Sequence, residues 1–266
     1  MSLSDPRFVA EQYRSSDHFD ARVRIYELFD VREERWPAWL FARLGLRAGE
    51  RVLEVGCGTG MLWRQNAARI PAGAALTLTD SSRGMLGAAR VALASLAPAP
   101  RFALADAQRL PFPDRSFDLV LANHMLYHVP DRHRALAELA RVLAAGGRLV
   151  AATNAWTHLI ELRELVHRAG LPRALPPRRD AADFDLEAAA EEIATLLPVE
   201  RVERRDSALE VTDVDVLVAY VRSTEIDAPA AALARLRAAA ASQIELAGAF
   251  HVGIAAGFVA ARKPRA

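Results

Sequence analysis

The stretch "RVLEVGCGTGM", Arg51 to Met61, constrains this chain more than any other feature. A short apolar run ends in three glycines, Gly56, Gly58 and Gly60, and a helical run follows from Met61 to about Arg69. Strand, tight turn and helix in that order open a doubly wound α/β sheet. The alternation then continues, with strands predicted over 74–80, 101–106, 117–123 and 148–154 and helices over 82–96 and 131–147. "FDLVLAN" (117–123) is nearly all apolar, as a strand covered on both faces should be. Gly146 and Gly147 stand where the 131–147 helix would stop in a C-cap. Units at this spacing imply right-handed crossovers and a mostly parallel sheet.

The pattern changes on either side of this core, which spans 49–154. Residues 1–48 read as an N-terminal helical arm, with mixed three- and four-residue apolar spacing over 8–35 and a further helix over 36–46. Residues 155–198 hold two helical segments separated by the Pro-rich "LPRALPPRRDAADFD", and read as a helical cap inserted over the strand ends. Residues 199–266 complete the sheet through a strand over 199–211, two helices and a last strand over 254–263.

Composition narrows the partners. The net charge of +1 supplies no overall field for nucleic acid, so none is expected as a partner. Lys263 is the only lysine, which argues against a Schiff base or a P-loop lysine. The single cysteine, Cys57, rules out an intrachain disulfide and fits a reducing compartment. No apolar run of ~18 residues is present, so no membrane span is expected. "MSLSDPRFVAEQYR" lacks the apolar core of a secretory signal. The expectation is a cytoplasmic protein acting on a small molecule, with its oligomeric state open.

The glycine turn decides what kind of small molecule. Its G-x-G-x-G spacing puts Met61 where a dinucleotide fingerprint wants its third glycine. Glu54, just before the turn, would repel a pyrophosphate and would suit an ammonium or sulfonium. Asp80, at the end of the second strand, is placed to accept from ribose hydroxyls. Asp106, ending the third strand, is placed to accept from an adenine amino group. A ribose and a cation without phosphate describe S-adenosylmethionine. The plainer alternatives are a turn that simply needs glycine and aspartates that cap the segments after them.

Four stretches, "VLEVGCGTG", "LTDSSRGML", "ADAQRLPFPDRSFDLVLANHMLYHVPD" and "ARVLAAGGRLVAAT", resemble the successive motifs of class I S-adenosylmethionine-dependent methyltransferases. The likeness is nearest to the quinone-biosynthesis-like small-molecule branch. It covers 50–155 by motif and 199–262 by strand order alone. The resemblance implies a Rossmann-like, seven-stranded sheet with an antiparallel last strand. It also implies methyl transfer to an O, N or C atom of a small-molecule acceptor, leaving S-adenosylhomocysteine. It assigns Glu54, Gly56 and Gly58 to the methionine part and Asp80 to the ribose. Ser81 and Met85 would lie beside the adenosine, Asp106 and Ala107 would hold the adenine, and the Asn123 backbone would meet the methionine ammonium. "LAAGGRL" departs from the family's usual Lys-Pro-Gly-Gly turn.

Methyl transfer from a sulfonium is an in-line displacement, so the chain must chiefly position the acceptor and exclude water. A general base helps where the acceptor is an oxygen or an acidic carbon. The loop "NHMLYHVPD" after the fourth strand is where such groups belong. His128 is the first candidate for acceptor contact or base, since the resembling family often has a histidine there; the alternative is a structural histidine bonded to loop backbone. His124, four residues earlier, is the second, and a metal shared by the two would lack further ligands. Tyr127 lines the pocket or packs as a core aromatic. Tyr13 would fold over the cofactor's carboxylate, helped by Arg14 or Arg24. Asn154 and His158 are candidate acceptor contacts, with Glu161 placed to orient the imidazole, and His251 is a further one. The competing readings are a nicotinamide-dependent oxidoreductase and an S-adenosylmethionine-binding partner subunit without catalysis.

Overall fold

The computed structural model describes residues 13, 17–171, 175, 184–224 and 227–265. The Pro-rich stretch of the expected cap, Arg14 and most of the first arm segment lie outside these. Among the described residues the strands are β1 (Arg51–Val55), β2 (Ala75–Asp80), β3 (Arg101–Leu104), β4 (Phe117–Asn123), β5 (Leu143–Asn154), β6 (Val199–Val211) and β7 (Phe250–Arg262). They form one sheet in the order β3-β2-β1-β4-β5-β7-β6. The five strands from β3 to β5 pair in parallel, and β7 runs antiparallel to both its neighbours. Six strands therefore point one way and the last the other, the arrangement the resemblance implies.

The helices are α1 (Asp17–Phe29), α2 (Trp36–Arg43), α3 (Met61–Gln65), α4 (Arg83–Ala92), α5 (Arg132–Val142), α6 (Ile160–Arg168), α7 (Leu186–Ala194), α8 (Val214–Thr224) and α9 (Ala230–Ala247). Side chains alternate across a strand, so the central strands feed two cores at once. Leu53, Val55, Val120 and Ala122 face α5 and α7. Val52, Leu119 and Leu121 face α2, α3 and α4 on the other side. Leu119 and Leu121 are fully buried, and each contributes about 2 kcal/mol of transfer free energy. A third cluster joins α1, α6, α8 and α9 to the outer strands β6 and β7.

Two expectations need correcting. The helix predicted over 131–147 stops at Val142, and Gly146 and Gly147 lie within β5. The register with β4 jumps between Phe117↔Leu143 and Leu119↔Arg148, so residues 144–147 form a bulge rather than a cap. A Cβ on Gly147 would sit 2.9 Å from the Ala144 carbonyl oxygen, which explains the glycine. The helix is instead closed from the far end of the chain: Lys263 Nζ donates to the carbonyls of Ala140 (2.7 Å), Leu143 (2.9 Å) and Arg141 (3.4 Å). A cation there also suits the negative end of the helix dipole. The second correction concerns α7, which packs on β5, β6 and β7 and so covers a sheet face instead of the strand ends.

The arm is tied to the sheet's outer edge. Asp30, just after α1, makes a buried ion pair with Arg205 of β6 at 3.0 Å, and Val31 N–H donates to Ala208 O at 3.0 Å. These contacts pair part of an edge strand that would otherwise stay open. Of the described helices, none is long and apolar enough to cross a membrane.

Candidate functional site

Because β1, β2, β4 and β5 run parallel, their carboxyl ends share one edge, and a cavity of about 1140 Å³ opens there. Doubly wound sheets bind ligands at this edge. The volume slightly exceeds the ~300–1,000 Å³ of ordinary ligand pockets, so two small molecules can lie side by side.

One end of the cavity is made of backbone turns and acids. Gly56 has φ +71°, and a Cβ there would fall 2.7 Å from Met125 Cβ, so both conformation and space demand glycine. Asp80 accepts from Gly58 N–H (2.9 Å) and Ser82 N–H (2.8 Å). Glu54 is only 2% exposed and accepts from Trp63 Nε1–H at 2.6 Å. Burial pushes the Glu54 carboxyl up to about 8, with the charge of Asp80 adding to the effect and the Trp63 bond opposing it. Asp80 is also raised by burial, despite its backbone donors. Neither acid has an ion-pair partner among the described residues. A pyrophosphate would meet two acidic side chains here, neither paired with a cation among the described residues. A ligand bearing a cation and a diol fits, and S-adenosylmethionine has both. Asp106 lies exposed at the rim, bonded to Gln108 N (2.9 Å) and Gln108 Nε2 (3.0 Å), with Ala107 buried beside it and Ser81 exposed nearby.

The other end is made of side chains. The chain has four tyrosines, and all four, Tyr13, Tyr26, Tyr127 and Tyr220, line the cavity. Burial raises the pKa of each phenol, and the Arg22 guanidinium pulls each one down. Arg22 lies over the Tyr13 ring at 5.1 Å and donates to Ser223 O at 3.1 Å. Tyr13 bridges the two ends: its carbonyl accepts from Ser82 Oγ (2.6 Å) and its hydroxyl meets His128 Nε2 (2.8 Å). His158, 6% exposed, accepts the Ala255 N–H at Nδ1 (3.1 Å). That bond leaves Nε2 to carry the ring proton, which it donates to the Tyr26 hydroxyl at 3.0 Å. Burial, then the Arg163 charge, lowers His158 to about 3, so this neutral tautomer persists.

His124 sits at φ +54°, a left-handed conformation rare for a non-glycine residue, its own N–H held by Ala152 O at 2.9 Å. Burial lowers its imidazole to about 4. The Trp36 ring meets it edge-on at 4.8 Å, and its ring nitrogens have no hydrogen-bond partner among the described residues. Trp36 Nε1–H in turn donates to Asn123 Oδ1 at 3.2 Å.

The cavity wall thus brings together Tyr13, Glu54, Gly56, Gly58, Asp80, Ser81, Asp106, Ala107, Asn123, His124, Tyr127, His128, Asn154 and His158. It leaves out two expected residues. Met85 faces the core from α4, 1% exposed, with its N–H capped by Ser82 Oγ at 3.2 Å. His251 is an exposed residue of β7, alternating with buried Val252, and faces Glu210 at 4.0 Å. Glu161 accepts from Gly253 N–H at 2.9 Å, while His158 is oriented by Ala255 and Tyr26. Arg22, not the exposed Arg24, accompanies Tyr13. Sequence reasoning also missed Tyr26, Trp36 and Tyr220. They stand on helices remote from any motif, and no local signal separates them from core aromatics.

Residues 53–151 match the model of a methyltransferase domain family. Over 121 residues the chain is 41% identical to methyltransferase GfsG of Streptomyces halstedii, covering 45% of this chain and 43% of that one. Over 139 residues it is 34% identical to the ubiquinone/menaquinone biosynthesis C-methyltransferase UbiE of Laribacter hongkongensis, covering 52% and 57%. The matched segment therefore spans about half the length of these relatives. Among solved structures, the [4+2]-cyclase SpnF superposes with a TM-score of 0.57 at 21% identity, over 88% of this chain and 82% of that one. That likeness is one of fold, and the fold alone does not decide the chemistry.

Proposed function

We propose that this chain, whose residues 53–151 match a methyltransferase domain model, is an S-adenosylmethionine-dependent methyltransferase that transfers a methyl group to a small-molecule acceptor held in the tyrosine-lined half of the cavity. The observation that carries this reading is the pair of buried, cation-free acids, Glu54 and Asp80, at a glycine turn beside a cavity with room for a second molecule. S-adenosylmethionine supplies a methyl group on a sulfonium that leaves as a neutral thioether. Glu54 would face its cationic amino-acid part, Asp80 its ribose hydroxyls, and Asp106 with Ala107 its adenine.

The protein's part is orientation and exclusion of water. Trp36 and the four tyrosines wall the acceptor end, and the arm residue Tyr13 links that end to Ser82 of the cofactor end. His124 holds a neutral imidazole with an open nitrogen, suited to take a proton from an acceptor hydroxyl as the new bond forms. His158 does not serve as a base: Nδ1 is occupied and Nε2 donates. The arm (1–48) and the 155–198 segment supply Tyr26, His158 and Phe184 to the acceptor end, which is the sense in which we regard them as acceptor-shaping.

Calorimetric titration with S-adenosylmethionine, S-adenosylhomocysteine and NADH tests the cofactor. Binding of the two sulfur compounds alone is expected, followed by transfer of labelled methyl groups in an acceptor screen. Binding of NADH alone would overturn the assignment.

A further inference from the structure

The two acids of the cofactor end are held in different ways. Asp80 is anchored by backbone on both oxygens, Oδ2 accepting from Gly58 N–H and Oδ1 from Ser82 N–H. Glu54 is held by a single side chain: Trp63 Nε1–H donates to its Oε2 at 2.6 Å. Its other oxygen, Oε1, has no donor among the described residues, and the residue lines the cavity. Indole is a donor only, so Oε2 accepts whether Glu54 is charged or neutral. Fixing one oxygen of a planar carboxyl also fixes the direction of the other. At neutral pH the carboxyl, pushed up to about 8 by burial, keeps its proton. With Oε2 accepting, that proton sits on Oε1, where an arriving cation would replace it.

Trp63 is itself rigidly placed. It is fully buried behind Glu54 and forms no part of the cavity wall. Its ring meets Phe41 of α2 edge-on at 6.1 Å, within the core cluster that also holds Leu40, Leu62 and Leu86. The short helix that carries it, α3, starts at Gly60, which has φ +72° and where a Cβ would fall 2.8 Å from Leu93 Cδ1. A glycine there lets α3 settle against the end of α4 and bring the indole N–H onto Glu54. The backbone of Glu54 is held as well, its carbonyl accepting from Thr79 Oγ1 at 3.2 Å.

We propose that Trp63 is a positioning residue for the cofactor, acting through Glu54: by holding Oε2 it directs Oε1 at the ammonium group of the methionine part. The proposal rests on the methyltransferase reading, which supplies the ligand.

The test is calorimetric titration with S-adenosylhomocysteine and with 5′-methylthioadenosine, which keeps the adenosine and the thioether but lacks the amino-acid part. Trp63→Phe should weaken S-adenosylhomocysteine binding about tenfold and leave 5′-methylthioadenosine within about twofold of wild type. In a Glu54→Gln background the same substitution should change S-adenosylhomocysteine affinity by less than about twofold, because the group it acts through is gone. Should the Phe variant fail to fold, Trp63→benzothienylalanine, which keeps the ring shape and lacks the N–H, takes its place. Equal losses for both ligands would show Trp63 to be ordinary core and overturn the proposal. So would unchanged S-adenosylhomocysteine affinity, or a loss that persists in full in the Glu54→Gln background. Failure of the wild-type protein to bind either compound would instead sink the methyltransferase reading.

Discussion

The two ends of the cavity are built from different material. At the cofactor end the groups are backbone N–H donors and acids set at strand ends, and their partners lie close in sequence or one strand away: Gly58 with Asp80, Ser82 with Asp80, Glu54 with Trp63. At the acceptor end the groups are side chains from α1, α8 and two loops, and their partners are far apart: Tyr13 with His128, Tyr26 with His158. One end is carried by the sheet itself. The other is assembled by packing helices onto it. A family can therefore hold its cofactor constant while the acceptor end is rebuilt, and substitutions at the two ends should separate cleanly.

The largest effect is expected at the turn. Gly56→Val must force a Cβ into Met125 and hold a branched side chain at φ +71°, costing about 3 kcal/mol or more. Thermal unfolding and calorimetry should show lower stability together with loss of S-adenosylhomocysteine binding. A well-folded variant that still binds would break the view that the turn is rigid. Asp80→Ala comes next: it removes the anchor of two backbone donors and the proposed ribose partner, and should weaken cofactor affinity roughly 10- to 100-fold. Calorimetry that finds unchanged S-adenosylhomocysteine affinity would remove Asp80 from the cofactor end.

Glu54 allows a pH test. Its folded value of about 8 lies above the ordinary 4.5, so between these values the folded state holds a proton that the unfolded chain has released. Rising pH over that window therefore favours unfolding. The ligand-free protein should melt at progressively lower temperature from pH 5 to pH 8, and Glu54→Gln should flatten that slope. An unchanged slope would show that Glu54 titrates as an ordinary carboxylate. The smallest effect belongs to the other end. Tyr26→Phe removes the hydroxyl that accepts from His158 Nε2. It should lower acceptor turnover about fivefold with cofactor affinity intact, and a change in cofactor affinity would blur the division.

The same division explains what could be read from the sequence. The strands of the core and the turn at Gly56 follow from apolar runs and glycine spacing, which are local properties of the chain. Glu54, Asp80 and Asp106 were legible because a doubly wound sheet brings every strand end to one edge. Met85 misled because a residue next to an adenosine-side motif can still point into the core from a helix face. His251 misled because its exposure depends on which face of β7 it occupies. Tyr26 and Tyr220 could not be found at all. Each sits in an amphipathic helix where an aromatic residue is ordinary, and only the packing of α1 against α8 brings the pair together at the cavity wall. The misplaced end of α5 has a similar origin, since the group that closes it comes from a residue more than a hundred positions away.

That closing residue has a practical consequence. Lys263 is the only side-chain amine in the chain, and it lies at the start of β5 and the end of β7, the sheet edge opposite the cavity. An amine-directed dye or surface linker coupled there would hold the molecule by its back, with the ligand cavity turned towards solution.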